Sequence, residues 1–239
     1  MLRRHAENGG GSISYGDFWS MAFRKGKAKL SQTSAKLPLV RWQSFFCNRV
    51  IIKCGVIFGS LIDMMDKAEI LRWSRKYDKD QGWGAQKERE LGAKFRKNKV
   101  LTREDLTQVV EWKFKDQENK KGKVLEAIAN NDDAVLTRIS SQVFNILGNE
   151  DAYRMNSLTM LNGVSPVLAS VILAFLDPKN YGVFDVHVWR ALLGNEPPNM
   201  FTTQNYLRLL PALRKTAAKN NLDARTVEKA FFKKSVDES

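Results

Sequence analysis

The chain has 239 residues and a mass of 27.3 kDa, which is enough for one domain with an extension or for two small domains. It carries 39 Lys and Arg against 26 Asp and Glu, and this net charge of +13 favours a polyanionic partner such as nucleic acid, ahead of an acidic membrane surface. The only two cysteines, Cys47 and Cys54, exclude a disulfide scaffold, a zinc finger and a four-cysteine iron–sulfur cluster.

The first quarter of the chain differs in composition from the rest. Residues 1–64 hold ten basic and three acidic side chains without sustained helical or strand periodicity, and we predict a basic, mostly disordered N-terminal extension. Its apolar run at 50–62 is too short for a comfortable membrane span. Three interpretations of this run remain open: a short buried helix, a membrane-surface segment, or a run without a role. One hypothesis is that translation starts at Met64 or Met65. An intact mass of the native protein that includes residues 1–63 would contradict this hypothesis.

From residue 65 to residue 239 the sequence predicts one all-α domain. Apolar residues recur at helical spacing, and no stretch alternates convincingly enough to require a sheet. Thr102, followed three residues later by Asp105, is close to the capping-box pattern at a helix start. The predicted helices span 66–77, 84–96, 103–115, 122–130, 132–147, 151–161, 166–176, 186–193, 203–219 and 223–234.

The segment from 151 to 176 predicts two helices joined by a tight hairpin. The first helix must end at Asn162 and Gly163, because glycine allows the open backbone that a reversal needs. Ser165 is suited to the N-cap and Pro166 to the first position of the second helix. Such a hairpin presents backbone N–H groups and a helix N-terminus, which together can hold a phosphate. An ordinary αα-hairpin within a helical core is the alternative.

Asp185 follows 22 residues after Gly163, between apolar residues and at the start of another predicted helix. Taken alone, such an aspartate is often only an N-cap. The run from Asp185 to Trp189 reads Asp-Val-His-Val-Trp, and it follows a turn-rich loop. The combination of hairpin, spacing and aspartate is more specific than any of its parts.

This combination resembles the helix-hairpin-helix DNA glycosylases, the superfamily that contains endonuclease III, adenine DNA glycosylase and 8-oxoguanine DNA glycosylase. The family pattern consists of Leu-Pro-Gly-Val-Gly, then a helix with small residues, then an apolar-Asp motif. In this chain, residues 161–165 correspond to the first part, Ala169 and Ser170 to the small residues, and Asp185 to the motif. The run from Asp185 to Trp189 is most similar to the 8-oxoguanine branch. The resemblance covers about 40 residues by motif. It implies a helical bundle with a cleft between two lobes.

The resemblance also implies an activity, namely excision of a damaged or modified base from double-stranded DNA by base flipping and cleavage of the N-glycosidic bond. Asp185 corresponds to the catalytic carboxylate, which stabilises the positive charge that develops on the sugar. Gly163, Val164 and Ser165 would offer N–H groups to the DNA backbone, and His187 matches a position that contacts it.

The sequence departs from the family pattern at three positions. Asn162 and Ser165 replace the proline and the second glycine of the hairpin. Bifunctional members carry a lysine four residues after the first hairpin glycine, where it forms a Schiff base, but this chain has Val167 there. We therefore predict a monofunctional enzyme that uses water, with doubtful lyase activity. Lys113 is the one substitute amine that we name, because its neighbour Trp112 suggests partial burial.

The remaining expectations concern the base pocket, cofactors and cellular context. Extruded bases are usually held by aromatic rings, and Trp112 and Phe144 are the pocket candidates. We expect no metal and no cofactor, although a monovalent cation at the hairpin is compatible with the pattern. We also expect a cytoplasmic monomer, associated with the nucleoid if the protein is bacterial, and no membrane partner.

Two other functions stay open. The first is a non-catalytic helix-hairpin-helix DNA-binding module in which Asp185 only caps a helix. The second is a defence enzyme that removes a modified base from foreign DNA by the same chemistry. The sequence names neither the base that is excised nor its opposite-base preference.

Overall fold

A computed structural model describes residues 65–146 and 150–239. These two ranges contain ten α-helices and no strand, which confirms the predicted all-α class. The predicted extension at 1–64, with its apolar run and the candidate start residue Met64, lies outside the described residues, whereas the other candidate, Met65, is described. The helices are α1 (Lys67–Gln81), α2 (Trp83–Asn98), α3 (Arg103–Lys113), α4 (Glu118–Ala129), α5 (Asp133–Asn145), α6 (Asp151–Leu158), α7 (Pro166–Leu176), α8 (Val186–Leu193), α9 (Thr203–Asn220) and α10 (Ala224–Asp237).

The local sequence signals account for most of the helix boundaries. Helix α3 begins at the predicted capping box, in which Thr102 Oγ1 accepts from the Asp105 N–H and Asp105 Oδ2 accepts from the Thr102 N–H. Helices α7 and α8 have the predicted bounds. Helix α4 begins at Glu118 rather than at 122, since its exposed glycine, Gly122, is tolerated inside the helix.

Helix α7 forms the centre of the main hydrophobic core. All of its residues from Val167 to Leu176 are buried, and the helix packs against α2, α3 and α6. Gly92 of α2 makes close packing against α7 feasible, because a Cβ at that position would lie 2.6 Å from the Phe175 carbonyl oxygen. Arg96 donates to the same carbonyl at 2.7 Å and so satisfies one of the orphan acceptors at the C-terminal end of α7.

A second hydrophobic cluster lies where α1, α9 and α10 meet. Ile70 of α1, Leu213 of α9 and Val227 of α10 are each fully buried there. Helix α10 also packs against α8, so it connects this cluster to the segment that carries Asp185. Within the described ranges, none of the helices combines the length and the apolar character that crossing a bilayer requires.

Candidate active site

Side-chain hydrogen bonds hold the loop between α7 and α8 in place. The Tyr181 hydroxyl donates to Asp151 Oδ1 at 2.6 Å, and the Tyr206 hydroxyl donates to the Gly182 carbonyl at 2.8 Å. The Phe184 N–H donates to Ser170 Oγ at 2.8 Å. Burial and the bond to the Asp151 carboxylate raise the pKa of Tyr181 to about 12, so its hydroxyl remains a donor at neutral pH. The loop that precedes Asp185 is therefore firmly anchored.

Asp185 is the N-cap of α8. Its Oδ1 accepts a hydrogen bond from the His187 N–H at 3.0 Å, which satisfies one of the free donors at the start of the helix. The carboxylate is largely buried, with 16% of the side chain exposed. Since one oxygen is used by the cap, Oδ2 is the atom that remains for another partner.

That partner is Lys113, the last residue of α3. Its Nζ lies 3.5 Å from Asp185 Oδ2, and 19% of the lysine side chain is exposed. The two residues are 72 positions apart in the chain, and the packing of α3 against α7 brings them together. The structure thus places the amine that the sequence named as a substitute nucleophile beside the carboxylate that the resemblance assigned to catalysis.

The electrostatic environment of Lys113 contains opposing effects. Burial lowers the pKa of the Lys113 amine, the nearby Asp185 carboxylate raises it, and the positive charge of Arg225 lowers it; the net result is a pKa below that of an ordinary lysine. A lowered pKa increases the fraction of neutral amine near neutral pH, and the neutral amine is the nucleophilic form.

The predicted hairpin between α6 and α7 is present. Helix α6 ends at Leu158, three residues before the predicted end, and Gly163 has a φ of 79° that favours glycine. Ser165 caps α7, with its side chain accepting from the Leu168 N–H at 3.4 Å. The Val164 N–H donates to the Leu161 carbonyl at 3.0 Å, so this group is already occupied. A phosphate grip at this hairpin would rest on Gly163 and Ser165 rather than on Val164.

The hairpin and Asp185 lie near the same end of α7. Ser170, which accepts from the Phe184 N–H, is five residues beyond the N-cap Ser165. Five residues correspond to about 7 Å along a helix axis. Because Phe184 directly precedes Asp185, the carboxylate is positioned from the second turn of α7, close to the hairpin.

His187 lies against α10. Its Nδ1 is 3.0 Å from Ser235 Oγ, and its ring meets the Phe232 ring edge-to-face with 5.7 Å between the centroids. The side chain is half-buried. Its described contacts are made to α10, and a DNA contact by this residue stays a prediction.

Trp112 and Phe144, the two base-pocket candidates, are both largely buried. Trp112 is 8% exposed, donates from Nε1 to the Gly84 carbonyl at 2.8 Å, and meets the Phe175 ring edge-to-face. Phe144 is 6% exposed and packs against Phe95. Both rings are core components whose burial leaves little area for stacking on a base, and composition alone could not distinguish the two roles.

Helix α4 adds a feature that the sequence reasoning missed. Its Val124 carbonyl and Ile128 side chain lie beside Gly163, so its C-terminal half packs against the hairpin. The Lys120 amine lies 4.6 Å from the centroid of the Phe114 ring, directly after Lys113 in the chain. Lys120 and Lys123 are exposed on this helix. The run Lys-Lys-Gly-Lys at 120–123 was the available signal.

The arrangement defines a helical protein with a partly buried lysine–aspartate pair beside a capped hairpin. Among the described residues, no group of three or more His, Cys, Asp or Glu side chains could hold a metal ion. No protein-family model, curated protein or solved structure matches the chain.

Proposed function

We propose that this protein is a DNA glycosylase that excises a damaged or modified base from double-stranded DNA, with Asp185 as the catalytic carboxylate and Lys113 as the amine nucleophile. The observation that carries the proposal is the 3.5 Å approach of Lys113 Nζ to Asp185 Oδ2 in a largely buried setting. The glycosylase-like bundle with a cleft between two lobes belongs to the same proposal.

The chemistry needs both groups. The lone pair of the neutral Lys113 amine attacks C1′ of the deoxyribose while the C1′–N bond to the base breaks, and the base leaves with the bonding electrons and takes up a proton. Asp185 stabilises the positive charge on the sugar during this step. It then accepts the proton that the Lys113 nitrogen loses after the new C1′–N bond has formed. The nitrogen lone pair then forms a C=N bond to C1′ while the C1′–O4′ bond breaks and O4′ takes the proton from Asp185, which gives a protonated imine between Lys113 and DNA.

This proposal changes the nucleophile from the one that the sequence predicted. Water was expected because Val167 occupies the position of the usual Schiff-base lysine. Val167 is buried in the core, whereas Lys113 reaches the carboxylate from another helix. An amine held beside Asp185 supports covalent catalysis, and water remains the alternative that the experiment below excludes or establishes.

Two features support a duplex DNA substrate. The hairpin presents Gly163 and Ser165 near the N-terminus of α7, where backbone donors and the helix dipole favour phosphate. Helix α4, which packs against the hairpin, carries the exposed Lys120 and Lys123. The target nucleotide has to leave the base stack before its C1′ can meet Lys113, so base flipping is part of the proposal.

Single-turnover base release and borohydride trapping, on oligonucleotides that carry a panel of modified bases, test the function. We expect wild-type protein to release at least one base and to form a reducible covalent adduct with DNA. Lys113→Gln should abolish the adduct, whereas Lys115→Gln, which removes the exposed lysine two residues later, should leave both readouts unchanged. Base release without an adduct would return the nucleophile role to water, and no release from any substrate would reject the enzyme.

The second candidate is a non-catalytic DNA-binding module, favoured by one specific observation: Asp185 does cap α8. Asp185→Asn separates the two functions, because asparagine is an equally good N-cap and should leave DNA binding nearly unchanged, although the loss of the partner of Lys113 lowers thermal stability. In a glycosylase the same variant should slow base release by at least a hundredfold. DNA binding with no base release in either protein would favour the module.

A further inference from the structure

A surface cleft of about 390 Å³ lies where the C-terminal ends of α2 and α7 meet. The turn that follows α7 and the residue that precedes α10 complete its lining. Its volume is within the range of about 300–1,000 Å³ that is typical of small-molecule sites. The eleven residues of α7, which span about 16 Å, separate this cleft from the hairpin. It is therefore a different site from the one described above.

The cleft gathers cationic side chains from four parts of the chain. These are Arg96, Lys99, Arg154 and Lys179. Arg154 is the most deeply buried of them, with 8% exposed, whereas the other three are exposed. The carboxylates of Asp177 and Asp223 also line the cleft, so that four positive charges face two negative ones.

Both arginines of the cleft are oriented by backbone carbonyl groups. Arg96 Nη1 donates to the Phe175 carbonyl at 2.7 Å, and Arg154 Nη2 donates to the Ile146 carbonyl at 2.8 Å. A carbonyl oxygen carries no net charge, so these two bonds fix the guanidinium groups without neutralising them. The cleft is thus lined by cations that are already in position.

The nearby carboxylates do not pair with the cations at the mouth of the cleft. Among the described residues, no carboxylate oxygen lies within 4.0 Å of a side-chain nitrogen of Arg96, Lys99 or Lys179. Asp177 Oδ2 instead accepts from the Asn180 amide at 2.8 Å, and Asp223 makes no side-chain capping bond to α10. Like charges that converge in a concave surface focus a positive potential, which attracts an anion.

The residue types indicate which anion the cleft fits. Arginine and lysine side chains are the usual ligands of phosphate oxygens, and the guanidinium fork can bind two of them at once. The Asp223 carboxylate can accept a hydrogen bond from a hydroxyl group and repels a second anionic group. The combination favours one phosphate attached to a group that carries hydroxyls.

We propose that this cleft is a phosphate-binding site that takes the phosphate of a nucleotide, with Arg96, Lys99 and Lys179 as the phosphate ligands. The phosphate can belong to a free nucleotide or to a nucleotide unit of DNA, since the chemistry of recognition is the same. The inference does not rest on the proposed glycosylase activity, because none of these residues takes part in the Lys113–Asp185 site. Base-release assays on Lys113 variants therefore leave it unaffected.

Calorimetric titration of the full-length protein with deoxyadenosine 5′-monophosphate tests the site. Deoxyadenosine, which lacks the phosphate, is the ligand control. The test variant is Lys99→Gln with Lys179→Gln, because both side chains are exposed at the cleft. The matched control is Lys97→Gln with Lys215→Gln, which removes the same charge from two exposed lysines outside the cleft lining. Thermal unfolding of each variant checks its fold.

We expect the nucleotide to bind wild-type protein with a Kd below about 1 mM and deoxyadenosine not to bind. The test variant should bind the nucleotide at least about tenfold more weakly, since it loses two charged ligands, while the control variant keeps the wild-type affinity. Equal affinities in the test and control variants would overturn the inference. So would equal binding of deoxyadenosine and the nucleotide.

A second arm distinguishes the two sources of the phosphate. The affinity of each variant for a labelled DNA duplex is measured by fluorescence anisotropy. If the free nucleotide does not bind, but the test variant loses several times more duplex affinity than the control variant, the phosphate belongs to DNA. If neither ligand distinguishes the variants and only the thermal stability of the test variant falls, the cations serve the helix ends alone and the inference is wrong.

Discussion

At the scale of single residues, the site depends on side chains that each serve two purposes. Asp185 caps α8 with one oxygen and faces Lys113 with the other. Ser170 donates from its hydroxyl to the Val167 carbonyl at 2.6 Å and accepts from the Phe184 N–H. The sequence singled out Asp185 because of its motif, but Ser170 counted there only as a small residue on α7. Its hydrogen-bonding role depends on a loop that returns to the helix 14 residues later.

Ser170→Ala should destabilise the protein and also disturb the site. The variant leaves the buried Phe184 N–H without its acceptor, which costs about 1–3 kcal/mol in the free energy of unfolding. Because Phe184 directly precedes Asp185, we also expect single-turnover base release to fall at least tenfold. Denaturant unfolding and single-turnover assays measure the two effects separately.

Ser140→Ala is the matched control for this prediction. Ser140 is equally buried and accepts from the Leu101 N–H at 2.9 Å, but it lies on α5. It should cost a similar free energy of unfolding and leave base release near the wild-type rate. Equal losses of activity in both variants would show that Ser170 has no special connection with Asp185.

At the scale of elements, the hairpin and α7 were readable from the sequence, whereas the positions of α3 and α4 were not. Glycine, serine and proline at 163, 165 and 166 define the turn and the cap through their own backbone preferences. The placement of α4 beside Gly163 and of Lys113 beside Asp185 depends on helix packing. No local pattern encodes which helices become neighbours.

Gly163→Ala should weaken DNA binding as well as stability. The residue has a φ of 79°, and an added Cβ would lie 3.0 Å from both Ile128 Cγ1 and the Val124 carbonyl oxygen. We expect a loss of about 1–2 kcal/mol in the free energy of unfolding and at least a fivefold weaker Kd for duplex DNA, because the hairpin has to shift. Fluorescence anisotropy with a labelled duplex measures the affinity.

Gly194→Ala separates backbone strain from hairpin geometry. Gly194 has a similar φ of 83°, but nothing lies within 4 Å of an added Cβ. It follows α8 and lies outside the hairpin. The variant should lose stability through strain while keeping its affinity for DNA. Equal affinities for the Gly163 and Gly194 variants would remove the hairpin from the DNA-binding surface.

At the scale of the whole molecule, net charge is a weaker guide than it first looks. More than half of the excess of +13 belongs to residues 1–64, and residues 65–239 carry only +6. The location of particular cations matters more than the sum. Lys120 and Lys123 are exposed on α4, the helix that packs against the hairpin, whereas the buried Arg225 is neutralised by carboxylates inside the core.

The salt dependence of DNA binding tests this distribution of charge. If Lys120 and Lys123 each contact a phosphate, replacing both by alanine should reduce the slope of log affinity against log salt by about two. The control is Lys215→Ala with Lys219→Ala, a pair exposed on α9, which should leave the slope unchanged. A wild-type affinity that does not change with salt would contradict a DNA-binding role altogether.

The sequence by itself determined the helical class, most helix boundaries, the hairpin and the N-cap position of Asp185, because each depends on residues within a few positions of one another. Tertiary structure alone decided that Lys113 lies beside Asp185, that Trp112 and Phe144 belong to the core, and that Arg225 lies buried behind α3. These contacts join residues 49 to 113 positions apart and arise from the packing of whole helices on one another. Local preferences fix how a segment folds, but the shared burial of apolar faces selects which segments meet.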